Sequence, residues 1–301
     1  MGIPYTGDIR SERCRKSGKG VIGMFVKNSS AVMKKVLVSR PTYLQAAPIN
    51  EIAKKWNHTR LDTEKMEREH HALVQAYREN GVEVEFLEAD PKRPNSVFSR
   101  DFGGCIREGY LLGNFREPIR FEEKEAYRKK MEELGVPVVA ECKSGLFEGG
   151  DFTYLDDHTL AIGMVARTNP EGIEELRAAV SPLGYRIVPV PCDEKYLHFD
   201  LLFNLASEHL ALAYREALPE EFLSLLDRME IETIPVPTES IFGLGCNIQS
   251  IGGNRVLSLK QNGRVNEEMD RRGVKVIELD ITEILKAGGG PHCMTFPLER
   301  D

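Results

Sequence analysis

The stretch from Asp151 to Pro191, DFTYLDDHTLAIGMVARTNPEGIEELRAAVSPLGYRIVPVP, decides the fold. FTYL and TLAIGM read as two short strands, and YRIVPVP reads as a third. Between them EGIEELRAAVSPL carries its apolar residues at helical spacing. A ββαβ unit of this size cannot bury its own apolar face, so it needs neighbours of the same kind.

The neighbours are in the chain. Asp101 follows FSR, Asp151 follows EGG, Asp200 follows HF and Asn247 follows GC, at intervals of 50, 49 and 47 residues. After Asp200 come LLFNLA, LALAY, the helical PEEFLSLLDRM and IETIPVP. After Asn247 come IQSIG, RVLSL, NEEMDRR and VKVIEL; after Asp101 come GGCIRE, YLLG, FEEKEAYRKKMEELG and PVVAE. A looser copy runs from KKVLVSR through DTEKMEREHHALVQAYRENG to VEVEFLEA. Five copies imply a closed α/β ring, a five-bladed propeller with pseudo-fivefold symmetry. Equivalent strand ends then converge on the axis, which brings Asp101, Asp151, Asp200 and Asn247 together. One such acid alone would be read as a turn cap.

The same repeats carry a second kind of chemistry. Cys293 sits in GGGPHCMT near the C-terminus, Glu148 begins EGGD, and His198 begins HFD. Glycines allow backbone to approach closely, so this thiol reads as one presented to a pocket. Cys293, His198 and Glu148 form a candidate Cys-His-Glu nucleophilic site.

Composition narrows the class. The chain has 301 residues, 41% hydrophobic and 29% charged, with a net charge of −7. That is the profile of a soluble globular enzyme, and the negative balance argues against nucleic acid as a partner. No apolar run reaches the length of a membrane span. The start lacks the apolar core of a secretory signal, although Gly2 and Thr6 fit the loose myristoylation pattern. Cysteines 14, 105, 142, 192, 246 and 293 show no C-x-x-C pairing. Reduced thiols in a cytosol, with no metal and no cofactor, are the expectation. Residues 1–33 read as a flexible leader and 34–301 as one catalytic domain.

FSRD, EGGD, ARTN, HFD and GGGPHCMT, in that order over residues 34–301, resemble the guanidine-modifying enzymes of the pentein superfamily: arginine deiminase, dimethylarginine dimethylaminohydrolase and the amidinotransferases. The resemblance implies Cys293 as nucleophile, His198 as general acid and base, and Glu148 as the group orienting His198. It implies that Asp101 and Asp200 grip a guanidinium and that Asn95 contacts substrate. Arg167 and Arg120 match arginines that bind a substrate carboxylate, with Arg116 close enough to leave that register open. Arg100 pairs with a carboxylate or belongs to the site, and His292 tunes the thiol or packs in its loop; the residues do not choose. His70 and His71 are expected to face solvent. Family analogy suggests a homodimer.

Within the group, Glu148 sets the chain apart from amidinotransferases, which carry Asp there, and Asp200 sets it apart from dimethylarginine hydrolases. A second carboxylate suits a free NH2, whereas a methylated nitrogen would leave it unpaired. The expected reaction is hydrolysis of arginine or a close guanidino acid to citrulline or its analogue and ammonia, through an S-alkylthiouronium. Dimethylarginine hydrolase, arginine dihydrolase and amidinotransferase are the alternatives, and a non-catalytic pentein binding protein stands furthest off. The helical insertion common in bacterial arginine deiminases is missing, since only about sixty residues separate Arg40 from Asp101.

Overall fold

A computed structural model describes residues 25–301. The first blade opens with β1 (Met33–Ser39), a short α1 (Glu51–Lys54), α2 (Thr63–Glu79) and β2 (Glu83–Leu87). The second holds β3 (Gly103–Ile106), β4 (Gly109–Leu112), α3 (Phe121–Glu133) and β5 (Val138–Glu141). The third holds β6 (Phe152–Tyr154), β7 (Thr159–Met164), α4 (Pro170–Val180) and β8 (Arg186–Pro191). The fourth holds β9 (Phe203–Ser207), β10 (Leu210–Ala213), α5 (Glu220–Arg228) and β11 (Glu232–Pro235), and α6 (Thr238–Ile241) follows it. The fifth holds β12 (Gln249–Ser250), β13 (Arg255–Leu259), α7 (Gly263–Arg271) and β14 (Lys275–Leu279). The chain returns as β15 (Phe296–Arg300).

Each blade is a three-stranded mixed sheet: its first two strands pair antiparallel, and its third is parallel to the middle one. The first blade takes its antiparallel strand from the other end of the chain, in the order β15-β1-β2, which closes the ring. Strands β3, β4, β6 and β10 are buried throughout, while β2, β5 and β14 are half exposed. Helix α2 buries Met66, His70, Leu73, Val74 and Tyr77, one stripe at i, i+4, i+7, i+8 and i+11. His70 thus belongs to the core rather than to solvent, and burial lowers its pKa to about 3, keeping it neutral. His71, one position on, is exposed.

Residues 25–33, the described part of the expected leader, are tied to the ring. Phe25 and Val26 donate backbone hydrogen bonds to the carbonyls of Arg107 and Ile106, at 3.1 and 3.3 Å. Arg300 donates to the Phe25 carbonyl, so residues 25–33 are stitched to β3 and β15. Gly2 and Thr6 lie outside the described residues. Among the described residues no helix is long and apolar enough to cross a membrane.

What the fold positions is a ring of turns. Tight 3-10 turns at Ser99–Phe102, Gly149–Asp151 and Phe199–Leu201 feed β3, β6 and β9 and carry Asp101, Asp151 and Asp200. Asn247 lies two residues before the start of β12, and Cys293 three residues before the start of β15. The thiol therefore holds the fifth of five equivalent axial positions, 46 residues after Asn247.

Candidate active site

The thiol loop is held from several sides. Glu69 of α2, itself buried, accepts hydrogen bonds from the backbone N–H groups of Thr282, Glu283 and Ile284 at 2.8–3.0 Å. Tyr77 reaches Thr295 with its hydroxyl at 2.6 Å, and the Arg100 N–H donates to the Cys293 carbonyl at 3.0 Å. Gly288 adopts φ +98°, a left-handed conformation, and a Cβ there would meet the Asn50 amide at about 2.5 Å. The glycines preceding the thiol thus answer to neighbouring protein groups.

Around the sulfur, Asn247 Nδ2 donates to Cys293 Sγ at 3.1 Å and to Asp200 Oδ2 at 3.0 Å. The thiol faces the same Asp200 oxygen at 3.5 Å, and His292 Nδ1 lies 2.8 Å from it. Burial, and then Asp200 and Asp101, push the Cys293 pKa well above its ordinary value. The resting sulfur is a protonated thiol. Burial lowers His292 to about 4 despite Asp200, so its neutral ring donates from Nδ1 to the carboxylate.

His198 lines the same cavity as Cys293. Its Nε2 lies 2.9 Å from Glu148 Oε2, and its Nδ1 lies 3.8 Å from Asp101 Oδ1. Burial alone would lower its pKa; Asp101 and the Glu148 hydrogen bond outweigh that and raise it to about 9. Glu148 is buried too, yet His198 and Arg167 bring its pKa down to about 2. At neutral pH the pair is imidazolium and carboxylate. Leu197, just before it, sits at φ +65°, strain of the kind that collects at working sites.

Asp101 and Asp200 each keep one oxygen free of hydrogen bonds. Asp101 Oδ2 accepts from Arg120 Nη1 and Asp200 Oδ2 serves the groups around the thiol, while both Oδ1 atoms are buried without a hydrogen-bond partner. Asn95 Oδ1, in the wall of the same cavity, is likewise buried and unpartnered. Buried acceptors of this sort are uncommon and call for a donor.

Other expected residues differ in what they do. Asp151 does not turn toward the thiol. Its Oδ1 accepts from the Phe199 N–H at 2.8 Å and its Oδ2 from Thr168 at 2.6 Å, so it pins the turn that presents His198. Arg120 is not a free cation for a carboxylate: Glu123 takes its Nε and Nη2 at 3.1 and 2.8 Å, and Asp101 takes its Nη1. It holds Asp101 in place. Arg167 spans the inner cavity and an outer one, donating to the Ile49 carbonyl at 2.6 Å. Arg116 gives its backbone N–H to Glu148 Oε1 at 3.0 Å and also lines the outer cavity. Among the described residues Arg100 pairs with no carboxylate; its Nη2 donates to Gln249. Sequence reasoning missed Glu123 altogether and gave Asn247 no role, although its repeat position marks it.

Asp101, Glu148 and His198 also bring donor atoms within 4.8 Å of one another, a spacing a cation could bridge. A protonated His198 is a poor ligand, since a metal needs the neutral ring. The inner cavity is small, about 20 Å³, room for one water.

The family model for N,N dimethylarginine dimethylhydrolase, eukaryotic, matches residues 40–300. This chain belongs to that family. It is a guanidine-modifying amidine hydrolase of the pentein superfamily. An N(G),N(G)-dimethylarginine dimethylaminohydrolase of Streptomyces coelicolor is 30% identical over 230 residues, 75% of this chain and 83% of that one. Uncharacterized protein YkgA of Bacillus subtilis is 34% identical over 89% of this chain and 92% of its own length. The chain spans 62% of the arginine deiminase of Bacillus thuringiensis subsp. konkukian, at 24% identity. The fold matches the product-bound N-terminal domain of ArgZ, an arginine dihydrolase from cyanobacteria, with TM-score 0.78 and 23% identity over 88% of this chain and 97% of that one. It also matches the dimethylarginine enzyme of Pseudomonas aeruginosa, a cysteine-to-serine mutant complexed with citrulline, with TM-score 0.75 and 24% identity over 89% of this chain and 100% of that one.

Proposed function

We propose that the chain hydrolyses the guanidine of arginine or a close guanidino acid, with Cys293 as nucleophile. The observation that carries this reading is the pair of unpartnered oxygens, Asp101 Oδ1 and Asp200 Oδ1, buried beside a thiol and an imidazolium. A guanidinium is planar and donates in fixed directions, so two carboxylate oxygens set its plane against the sulfur. Asn95 Oδ1 takes a further N–H. The bound cation offsets the carboxylate field that keeps Cys293 protonated, and so makes its thiolate accessible.

Sulfur then adds to the guanidinium carbon; the thiol proton and the proton of the His198 imidazolium both go to the departing amine, which leaves as ammonium and leaves His198 neutral. The product is a cationic S-alkylthiouronium on Cys293. Water adds to the same carbon, His198 receives its proton, and the C–S bond breaks to return the thiol and release a ureido compound. Glu148 holds His198 by Nε2, leaving Nδ1 toward Asp101 and the substrate. Arg167 exchanges the Ile49 carbonyl for the substrate carboxylate. An inner cavity with room for one water requires Ile49 and Asn50 to move aside when substrate enters. The same reading keeps the protein in a reducing cytosol.

The family match and the Streptomyces relative favour a second substrate, dimethylarginine, with dimethylamine as leaving group. Incubation with arginine, dimethylarginine, agmatine and guanidinobutyrate, with products read by mass spectrometry beside a Cys293→Ser control, separates the two. Citrulline and ammonia from arginine support the first; dimethylamine release transfers the assignment to the second. Turnover of agmatine at an equal rate overturns the carboxylate role of Arg167.

A further inference from the structure

A second cavity of about 20 Å³ shares no lining residue with the one around Cys293. Strands β3, β6, β9, β12 and β15 all line it, one from each blade, so it lies on the pseudo-fivefold axis. Two of its walls are the guanidinium groups of Arg100 and Arg300, and no Asp or Glu lines it.

Both arginines are buried, Arg300 to 1% exposure and Arg100 to 6%. Arg300 Nη1 and Nη2 donate to the Ala31 and Ser250 carbonyls at 2.9 and 2.7 Å, while its Nε has no partner. Arg100 Nη2 donates to Gln249 Oε1 at 2.9 Å. Among the described residues neither forms an ion pair with a carboxylate within 4.0 Å. Burial, and then the repulsion of Arg100, lower Arg300 to about 9; burial lowers Arg100 to about 10. Both still carry charge at neutral pH. Two buried, mutually repelling cations with no carboxylate in contact are costly; Asp200 acts on Arg100 only from beyond ion-pair distance, and the other polar side chains lining the cavity are amides, hydroxyls, a thiol and the neutral His292 ring.

We infer that this axial cavity binds a small inorganic monoanion of halide size, held between Arg100 and Arg300. The unpartnered Nε–H of Arg300 donates to it, and Arg100 supplies the second charge. The volume suits an ion little larger than water and is too small for phosphate or sulfate. The ion also touches the catalytic side indirectly, because Arg100 holds the Cys293 carbonyl and His292 lines the cavity while bonded to Asp200.

Bromide is the probe. The full chain is crystallised at about 0.1 M sodium bromide for anomalous diffraction, and its melting temperature is compared in bromide and gluconate at equal ionic strength. The expected result is one anomalous peak between the two guanidinium groups and a melting temperature higher by about 3 °C in bromide. Arg300→Met should lose both, and if that variant does not fold the wild-type measurements decide alone. A peak or shift that survives in Arg300→Met overturns the site. A peak only at molar bromide with no thermal shift marks an adventitious ion only and also overturns it. So does a thermal shift without an axial peak, or the absence of both.

Discussion

Asp200 Oδ2 lies 3.5 Å from Cys293 Sγ, and the same oxygen accepts from Asn247. One carboxylate thus faces the thiol and, through its open Oδ1, is the group that the proposed function assigns to the guanidinium. Asp200→Asn separates the two roles. Removing the charge lowers the thiol pKa, so alkylation of Cys293 by iodoacetamide at about pH 8 should speed up several-fold. Turnover should fall by about a hundredfold, since the guanidinium loses a charged acceptor worth on the order of 3 kcal/mol. Slower alkylation in the variant would contradict the arrangement.

In the proposed mechanism the His198–Glu148 pair, 2.9 Å apart, sets the proton traffic. Glu148→Gln removes one of the forces that hold His198 at about 9. The imidazole resonance followed by NMR should titrate at lower pH, and kcat should drop by about 10- to 100-fold. An unchanged titration would assign the raised pKa to Asp101 and Asp151.

Stability follows the same proton. His198 has a folded pKa of about 9 against an ordinary 6.5, so the folded state binds the proton more tightly. Its contribution is complete below about pH 6.5 and is lost as pH rises through about 9, on the order of 3 kcal/mol. Thermal melts from pH 6 to 9.5 should show this decline, and it should shrink in His198→Asn. Stability rising over that window would contradict the assignment.

Arg120 is buried between Glu123 and Asp101. Arg120→Met leaves two buried carboxylates without their cation, which costs about 3–5 kcal/mol. Denaturant melts should show that loss, and KM should rise more than kcat falls. If KM is unmoved in a folded Arg120→Met, Asp101 does not grip substrate.

Much of the ring was legible from period alone. Asp101, Asp151, Asp200 and Asn247 mark four blades because equivalent turns precede equivalent strands. The remaining blade was harder to see: its first strand is β15, on the far end of the chain from β1, so no run near KKVLVSR contains it. For the same reason Cys293 is not recognised from spacing as the fifth member of the axial series until the ring is closed. Side-chain direction was the other gap. Asp151 and Asp200 share a position, yet Asp151 is captured by Thr168 and the Phe199 N–H while Asp200 reaches the thiol. Arg120 carries the charge expected of a carboxylate ligand, but Glu123, three residues on, takes it first. His70 sits on the buried stripe of α2, a placement that depends on which face the ring covers.

The central claim is a covalent bond between Cys293 and the guanidine carbon. Wild-type protein mixed with arginine, quenched in acid within milliseconds to seconds and weighed intact, tests it most directly, with dimethylarginine run in parallel. A species heavier by the substrate less its departing amine, mapped by peptide digestion to Cys293 and missing in Cys293→Ser, is the expected result. Product formation at the wild-type rate with no adduct at any time, or an adduct on another residue, would contradict the account.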